Sequence, residues 1–350
     1  MSSNNTRTAN PARSNPARSN PARSNPARSN PARPLGAGRG WASALRTVRR
    51  LSLGFPLPFP TGAPNWPTSV PRPPKRSALG VDYETAWARR YPLRLARAAY
   101  TELVTRPVMA AVAQPSVVGT DRFEAVHGPV IFAANHASHL DAPLVLSVLP
   151  DRWRNKTVTL GAADYFFTSH LRALYFSFTT NAVPIERVRV SRRSAQQAAS
   201  LIDQGWSLLI FPEGGRSPDG WAREHRGGAA WLAARSGRPV IPVYIKGTGR
   251  LLPRGSKRLY LGKTTVTFGT PIPPDVPARH LVARIEAAIA ALADEASTDW
   301  WSARLRAARG ETPSLMGPQA SEWRRAWALG PSPKDRARRP PGERRWPPRP

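Results

Sequence analysis

The sequence predicts an α/β fold, in which a single domain holds a mixed, mainly parallel sheet flanked by helices. Short apolar runs alternate with longer amphipathic segments along residues 81–300, which is the pattern of strands that are connected by helices. Polar clusters directly follow three of these runs, where ligands gather in such sheets. Segments rich in Pro and Arg, residues 1–80 and 301–350, flank the domain and are predicted to be disordered basic tails.

The first predicted element of the domain is a helix from Asp82 to about Ala113. Trp87, Tyr91 and Leu95 recur there at roughly helical spacing, with arginines between them, and this pattern indicates an amphipathic surface helix. A helix that lies on anionic lipid would show the same pattern, so both interpretations stay open.

Six strands are predicted next from short apolar runs, of which the first, residues 129–134, is too short for a helix. The strands cover residues 129–134, 157–161, 182–185, 207–211, 240–246 and 264–268. Between and after them, helices are predicted over residues 142–149, 165–178, 191–204, 229–236 and 278–296.

The charge of the chain is unevenly distributed. The formal net charge is +30. Residues 1–80 contain 13 Lys and Arg and no acidic residue. Residues 81–300 contain 27 basic and 18 acidic residues, and residues 301–350 contain 12 basic and 4 acidic residues. The pentapeptide Asn-Pro-Ala-Arg-Ser repeats from Asn10 to Ser29, and a proline in every repeat excludes a continuous helix. Basic tails attract anionic lipid head groups or nucleic acid, and charge alone does not choose between them.

The composition excludes several kinds of site. The chain has no cysteine, which excludes disulfides, a thiolate nucleophile and cysteine metal ligands. No stretch approaches the roughly 18 consecutive apolar residues of a membrane-spanning helix, and the N-terminus has no apolar signal core, so secretion is not expected. We therefore expect any membrane contact to be peripheral.

His136 and Asp141 are the most informative pair in the sequence, within Asn-His-Ala-Ser-His-Leu-Asp directly after the run 129–134. An imidazole beside a carboxylate can take a proton from a hydroxyl, while the carboxylate fixes the tautomer. On a regular helix the two side chains would point about 140° apart, so they can meet only if the turn between strand and helix holds them together. A loop histidine beside a helix-capping aspartate is the alternative.

Two more polar clusters follow predicted strands. Residues 211–217, Phe-Pro-Glu-Gly-Gly-Arg-Ser, combine a carboxylate, a guanidinium, a hydroxyl and two glycines that let a ligand approach the backbone. Residues 181–187 end in Glu186 and Arg187. The planar fork of arginine suits a phosphate group. For either cluster taken alone, a turn with a surface salt bridge is the alternative interpretation. Three clusters at strand ends of one domain together favour a ligand site.

With these motifs the chain resembles the glycerolipid acyltransferases typified by 1-acylglycerol-3-phosphate acyltransferase. The four sequence blocks of that family are matched in order by residues 135–141, 183–187, 211–217 and 240–243. H-x4-D alone is weak evidence, but F-P-E-G-x-R-S about 70 residues later makes it strong. The resemblance covers roughly residues 115–275 and leaves both tails unexplained.

The resemblance implies a role for each matching residue. His136 would be the general base that deprotonates the acceptor hydroxyl, Asp141 would orient His136, and Pro242 would shape the wall of the acyl or acceptor pocket. The residues implied in binding the acceptor, with both arginines facing its phosphate, are Arg187, Glu213, Gly214, Arg216 and Ser217.

The implied reaction moves a fatty acyl group from acyl-CoA or acyl-carrier protein to the free hydroxyl of a lysophospholipid, above all 1-acylglycerol-3-phosphate, which gives phosphatidic acid. A thioester is already activated, so proximity, a base and stabilisation of the oxyanion suffice. No metal and no cofactor beyond this co-substrate are implied. The basic tails would then hold the domain peripherally against the anionic cytoplasmic face of the cell membrane, and nucleic acid is not expected as a partner.

Other interpretations are weaker. A metal site at His136, His139 and Asp141 has competent ligands but lacks a fourth, so His139 is predicted to pack or hydrogen-bond locally. Ser138 is predicted to be a turn residue rather than a nucleophile. An O-acyltransferase that acts on a different lipid or glycolipid acceptor is the main alternative function. A basic nucleic-acid-binding protein would need a module that the sequence lacks, and the arginine clusters argue against a hydrolase.

Overall fold

A computed structural model describes residues 79–186 and 192–328, and all of them fall within one compact unit, residues 74–350. The predicted N-terminal tail up to residue 78 lies outside the described residues, and so do residues 187–191 and the part of the C-terminal tail from residue 329 onwards.

A seven-stranded sheet forms the centre of the domain, in the order β1-β7-β6-β2-β5-β3-β4. The strands are β1 (Pro115–Val118), β2 (Ile131–Ala134), β3 (Thr157–Ala162), β4 (Ala182–Ile185), β5 (Ser207–Ile210), β6 (Val240–Lys246) and β7 (Thr264–Phe268). The five strands from β6 to β4 run parallel, β7 is antiparallel to β6, and β1 is parallel to β7. The predicted mixed, mainly parallel sheet is confirmed.

Helices connect and cover the strands. They are α1 (Leu93–Tyr100), α2 (Arg106–Ala113), α3 (Asp141–Val148), α4 (Asp151–Arg154), α5 (Ala163–Phe166), α6 (His170–Thr179), α7 (Arg192–Asp203), α8 (Gly228–Ser236), α9 (Thr248–Leu251), α10 (Ala278–Glu295), α11 (Trp300–Arg309) and α12 (Glu322–Ala328). A π-helical turn, Thr101–Thr105, joins α1 to α2, and single 3-10 turns lie at Gly80–Asp82, Ala86–Arg89 and Thr120–Phe123. No helix in the described ranges is both long and apolar enough to span a bilayer.

The sheet is buried on both faces, which explains why its strands read as continuous apolar runs. On β2, Ile131 and Ala133 face a core layer that α7, α8 and α10 complete. Phe132 and Ala134 face the opposite layer, which contains residues of α2 and α3. Successive side chains of a strand point to opposite faces, so the four residues of β2 contribute to both layers.

The first predicted helix is wrong in its N-terminal part. Pro92 has no N–H to donate and restricts the residue before it, so the α-helix begins only at Leu93, and 3-10 turns precede it. The predicted helix over 165–178 is divided between α5 and α6, because Ser169 caps a new helix and accepts a hydrogen bond from the backbone N–H of Arg172. Strand β1 was missed, since it is a short edge strand with mostly exposed side chains.

Regular structure continues past residue 300, where the sequence analysis began the C-terminal tail. Asp299 caps α11 by accepting a hydrogen bond from the backbone N–H of Ser302 at 2.9 Å. Arg306 on α11 forms two hydrogen bonds of 2.7 Å with the carboxylate of Asp294 on α10. The domain therefore extends beyond the boundary that the sequence predicted.

Phe132→Ala should lower the free energy of unfolding by about 3–5 kcal/mol, the usual cost of removing a buried phenyl ring. Phe132 is fully buried, and its ring packs against those of Phe123, Trp153 and Phe268. Chemical denaturation measures the change. Leu171→Ala is the control, because Leu171 is 80% exposed and its removal should change stability by less than about 0.5 kcal/mol. Equal effects of the two substitutions would contradict this core.

Candidate active site

The predicted polar motifs meet at one edge of the sheet. Residues 135–141 follow β2 and residues 211–217 follow β5, which is the neighbour of β2. The carboxyl ends of parallel strands lie at the same edge, where ligands bind in open α/β sheets. The central position of β2, between β5 and β6, places the His136 turn between groups from both neighbours.

His136 and Asp141 are in direct contact. Nδ1 of His136 lies 2.9 Å from Oδ2 of Asp141, and the Asp141 side chain is fully buried. The same oxygen accepts hydrogen bonds from the backbone N–H groups of Ala137 at 2.7 Å and Ser138 at 2.8 Å. Asp141 is the first residue of α3, so the turn from strand to helix brings the two side chains together, as the spacing required.

This contact determines which nitrogen of His136 faces the ligand. A carboxylate accepts hydrogen bonds, so Nδ1 carries the proton that Asp141 receives, and Nε2 keeps a free lone pair. The imidazole stacks on Phe211 with ring centroids 4.2 Å apart, and His136 lines a cavity. The arrangement can accept a proton at Nε2 from a hydroxyl group in that cavity.

Asn135 is a structural residue of the site that the sequence analysis did not single out. Its side-chain amide donates to the carbonyl of Ile245 at 3.0 Å and accepts from the backbone N–H of Ile245 at 2.7 Å. These two bonds continue the β2–β6 pairing by one residue and fix the start of the turn. Its position in the sequence, as a polar amide between a buried strand and the candidate catalytic His136, could have indicated this role.

Glu213 is buried and bonded to the main chain. Its Oε1 accepts from the backbone N–H of His136 at 2.9 Å, and its Oε2 accepts from that of Arg223 at 3.1 Å. Burial raises the pKa of the Glu213 carboxyl, and these two backbone hydrogen bonds oppose the increase. The contacts of Glu213 are thus those of a residue that holds the His136 turn, and its implied role in binding the acceptor stays a prediction.

Gly214 and Ser217 shape the turn after β5. Gly214 has φ +67°, and a Cβ there would lie 2.6 Å from Nε of Arg226, so a side chain would be strained and crowded. Ser217 donates its backbone N–H to the carbonyl of His136 at 3.0 Å, and its Oγ accepts from the backbone N–H of Gly220 at 2.7 Å. Gly214 lines the cavity, whereas the contacts of Ser217 are with the backbone.

Of the two arginines implied in phosphate binding, the structure describes only Arg216. Arg216 lines the same cavity as His136, and its guanidinium lies 5.8 Å from the centre of the Tyr165 ring. Arg187 lies outside the described residues, so its position stays a prediction. The strand that leads to it, β4, ends at Ile185, which also lines the cavity.

The implied place of Pro242 is corrected by the structure. Pro242 lies on β6 and is buried, but it is not among the residues that line the cavity. It packs instead against Gly269, where a Cβ would come within 2.7 Å of Pro242 Cγ. Side chains of a strand alternate between the two faces of the sheet, and the sequence alone did not assign Pro242 to a face.

The cavity has a volume of about 420 Å³ and is lined mainly by apolar side chains. The polar part of its wall contains His136, His139 and Arg216. The apolar part comes from the helical segment 93–113, from β3 and from the helices that follow it, and includes Val104, Val108, Met109, Leu160, Phe166 and Phe176. An apolar cavity with a few polar groups at one side suits a ligand that has an alkyl chain and a polar end.

His139 and Ser138 have the local contacts that the sequence predicted. Nε2 of His139 lies 2.8 Å from the hydroxyl of Tyr165, and the two rings stack. Burial, with smaller contributions from Arg216 and His136, lowers the pKa of His139 to about 4. Ser138 donates its hydroxyl to the carbonyl of Leu252 at 3.0 Å. Among the described residues no group of three or more His, Cys, Asp or Glu side chains could hold a metal ion.

Comparison with known proteins finds similar sequences for the segment that carries this site. Residues 114–246 match the acyltransferase family. The chain is 30% identical over 183 residues to a 1-acyl-sn-glycerol-3-phosphate acyltransferase of Chlamydomonas reinhardtii, which covers 50% of this chain and 52% of that protein. A chloroplastic protein of the same name from Brassica napus is 28% identical over 143 residues, or 40% of each chain.

A solved structure is also similar. The crystal structure of the 1-acyl-sn-glycerophosphate acyltransferase PlsC from Thermotoga maritima matches with a TM-score of 0.49 and 22% identity, covering 62% of this chain and 85% of that one. The chain spans about half the length of the curated relatives that it matches, from 40% to 52% in the two described above.

Acidification should destabilise the protein between about pH 6.5 and about pH 4, in part through His139 and His225. Burial lowers the pKa of each side chain to about 4 in the folded protein, whereas an unfolded histidine has a pKa of about 6.5. Between these values the unfolded chain binds more protons, so protonation favours unfolding.

The H139Q/H225Q double variant should therefore lose less stability than the parent when the pH falls through this window. Melting temperatures at about pH 7.5 and about pH 5 measure the difference, and a third measurement at about pH 8, where histidine is neutral in both states, is the control. The same pH dependence in both proteins would contradict the neutral state of the two half-buried rings.

Proposed function

We propose, from the match of residues 114–246 to the acyltransferase family, that the protein transfers a fatty acyl group from a thioester to the free hydroxyl of a lysophospholipid. The observation that carries the proposal is the His136–Asp141 pair on the wall of an apolar cavity that Arg216 also lines. The pair supplies a base, the apolar part of the cavity suits an alkyl chain, and the guanidinium suits a phosphate group.

The reaction starts with proton transfer to His136. Nε2 takes the proton of the acceptor hydroxyl while the oxygen attacks the thioester carbonyl and forms a tetrahedral intermediate. Asp141 stabilises the imidazolium through Nδ1. The intermediate collapses to an ester and expels the thiolate, which receives the proton from Nε2. The protein forms no covalent bond to the acyl group, and His136 ends the cycle in its starting state.

The proposed acceptor is 1-acylglycerol-3-phosphate, with phosphatidic acid as the product. Two features support it, namely the guanidinium of Arg216 in the cavity wall and the shared name of the relatives from Chlamydomonas reinhardtii and Brassica napus. Arg187 is proposed as a second phosphate ligand. The acyl donor is acyl-CoA or acyl-carrier protein, and the enzyme works peripherally on the cytoplasmic face of the cell membrane.

His136→Ala should lower kcat for acyl transfer by about 10²–10⁴-fold, the usual contribution of a general base. The KM for the acceptor should change little, because no proposed binding group is removed. An assay with one acyl-CoA and 1-acylglycerol-3-phosphate measures both parameters. His280→Ala, which removes an exposed imidazole on α10, is the control and should retain the parental kcat. Full activity of His136→Ala would refute the mechanism.

Arg216→Gln should raise the KM for 1-acylglycerol-3-phosphate by tenfold or more, since a hydrogen bond to a charged group contributes about 1.5–3 kcal/mol. Monoacylglycerol lacks the phosphate, so its KM should be the same for the parent and the variant. A panel that adds lysophosphatidylcholine and a glycolipid acceptor tests the alternative acceptors directly. If the parental enzyme prefers an acceptor without a terminal phosphate, the proposed substrate is wrong, but the proposed acyltransferase activity stands.

A further inference from the structure

A loop beside the active site combines positive charge with exposed apolar side chains. This loop, residues 252–263, connects α9 to β7 and is called the basic loop below. It contains four cationic side chains and no acidic residue. The cations, Arg254, Lys257, Arg258 and Lys263, are all exposed. Within the described part of the chain none of them forms a salt bridge with a carboxylate.

Two leucines project between these charges. Leu259 is 47% exposed and Leu261 is 71% exposed. Tyr260 between them is half-buried, its backbone N–H donates to the carbonyl of Leu251 at 2.8 Å, and the Arg258 guanidinium lies 5.2 Å from the centre of its ring. The alternation of exposure along residues 259–261 presents both leucines to solvent on a backbone that is tied to the domain.

The basic loop is anchored at the catalytic edge of the sheet. The carbonyl of Leu252 accepts the hydroxyl of Ser138 at 3.0 Å. Arg254 donates to the carbonyl of Arg216 at 3.4 Å. At the other end of the loop, the backbone N–H of Gly262 donates to the carbonyl of Val112 on α2 at 3.1 Å. The loop is therefore fixed to the His136 turn, to the Arg216 turn and to the helical segment that lines the cavity.

We propose that the basic loop is a docking surface for an anionic lipid bilayer, with its cations on the head groups and Leu259 and Leu261 in the acyl-chain boundary. Charge complementarity identifies the occupant, because exposed cations without a carboxylate partner attract an anionic surface. The exposed leucines favour a bilayer over a free phosphate or a purely polar partner, because burying their apolar surface is favourable only where hydrocarbon is present.

The inference rests on the proposed function, since it explains how an acceptor that resides in a membrane reaches His136. Docking through the basic loop would bring the catalytic edge of the sheet to the head-group layer. The lysophospholipid could then enter the cavity by a short displacement within the interface. The loop acts on access to the acceptor and takes no part in the chemical step.

The absence of cysteine allows a direct test, because a single introduced thiol can be labelled selectively. Leu261→Cys in the full chain would carry a fluorophore whose emission shifts to the blue in an apolar environment. Arg235→Cys is the matched control, because Arg235 is exposed on α8 and lies close to the start of β6, at the opposite edge of the sheet. The two labelled proteins are mixed with vesicles of equimolar phosphatidylcholine and phosphatidylglycerol, and with vesicles of phosphatidylcholine alone.

The label at position 261 should shift to the blue with the anionic vesicles, and brominated acyl chains should quench it. The label at position 235 should stay in water with both vesicle types. If the protein sediments with the anionic vesicles while the label at position 261 stays in water, another part of the chain docks and the proposal is overturned. A shift that requires an acidic acyl-carrier protein instead of vesicles would overturn it in favour of a protein partner.

Activity separates this proposal from the proposed function. The K257Q/R258Q/K263Q variant should lose about tenfold in kcat/KM with acceptor embedded in anionic vesicles and should match the parent with a short-chain, water-soluble acceptor. The R235Q/R238Q variant removes two exposed cations close to the start of β6, at the opposite edge, and should match the parent in both assays. Equal loss with both acceptors would overturn the docking role. If no acceptor is acylated while the label at position 261 still enters the bilayer, the proposed function fails and the docking surface stands.

Discussion

The carboxylate of Asp141 is the group on which the turn after β2 depends. It is fully buried, and its Oδ2 accepts hydrogen bonds from two backbone N–H groups and from Nδ1 of His136. A buried carboxylate without such donors would carry a large desolvation penalty, so the turn is stable only in the form that supplies them. The interaction that folds the start of α3 therefore also sets the direction and tautomer of the imidazole.

The neighbouring strands complete this arrangement. Asn135 pairs with Ile245 on β6, and Glu213, which follows β5, accepts the backbone N–H of His136. Ser217 donates its backbone N–H to the carbonyl of the same residue. Each bond satisfies a polar group of the turn that would otherwise be left without a partner near the core. The His136 turn lies at the centre of the sheet, and groups from both neighbouring strands fix it in place.

The residue types of the site could be predicted from the sequence, but the contacts of several residues could not. The H-x4-D spacing allows His136 to contact Asp141 only if a turn joins them, and this condition is local. The family resemblance implied that Glu213 binds the acceptor, and the structure adds two backbone partners that its sequence neighbours do not reveal. Pro242 shows the same limit, because the face of the sheet that a side chain meets depends on strands far away in the sequence.

The sequence by itself determined the alternation of strands and helices and the mainly parallel sheet, and it identified His136 and Asp141 as a candidate pair. Apolar periodicity and turn chemistry are properties of short segments, so they can be read without the fold. Only the tertiary structure decided the partner of Asn135, which lies 110 residues away, the helices α11 and α12, and the union of separate helices and strands into one apolar cavity. These features depend on packing between distant segments, and packing is specified by the complete fold.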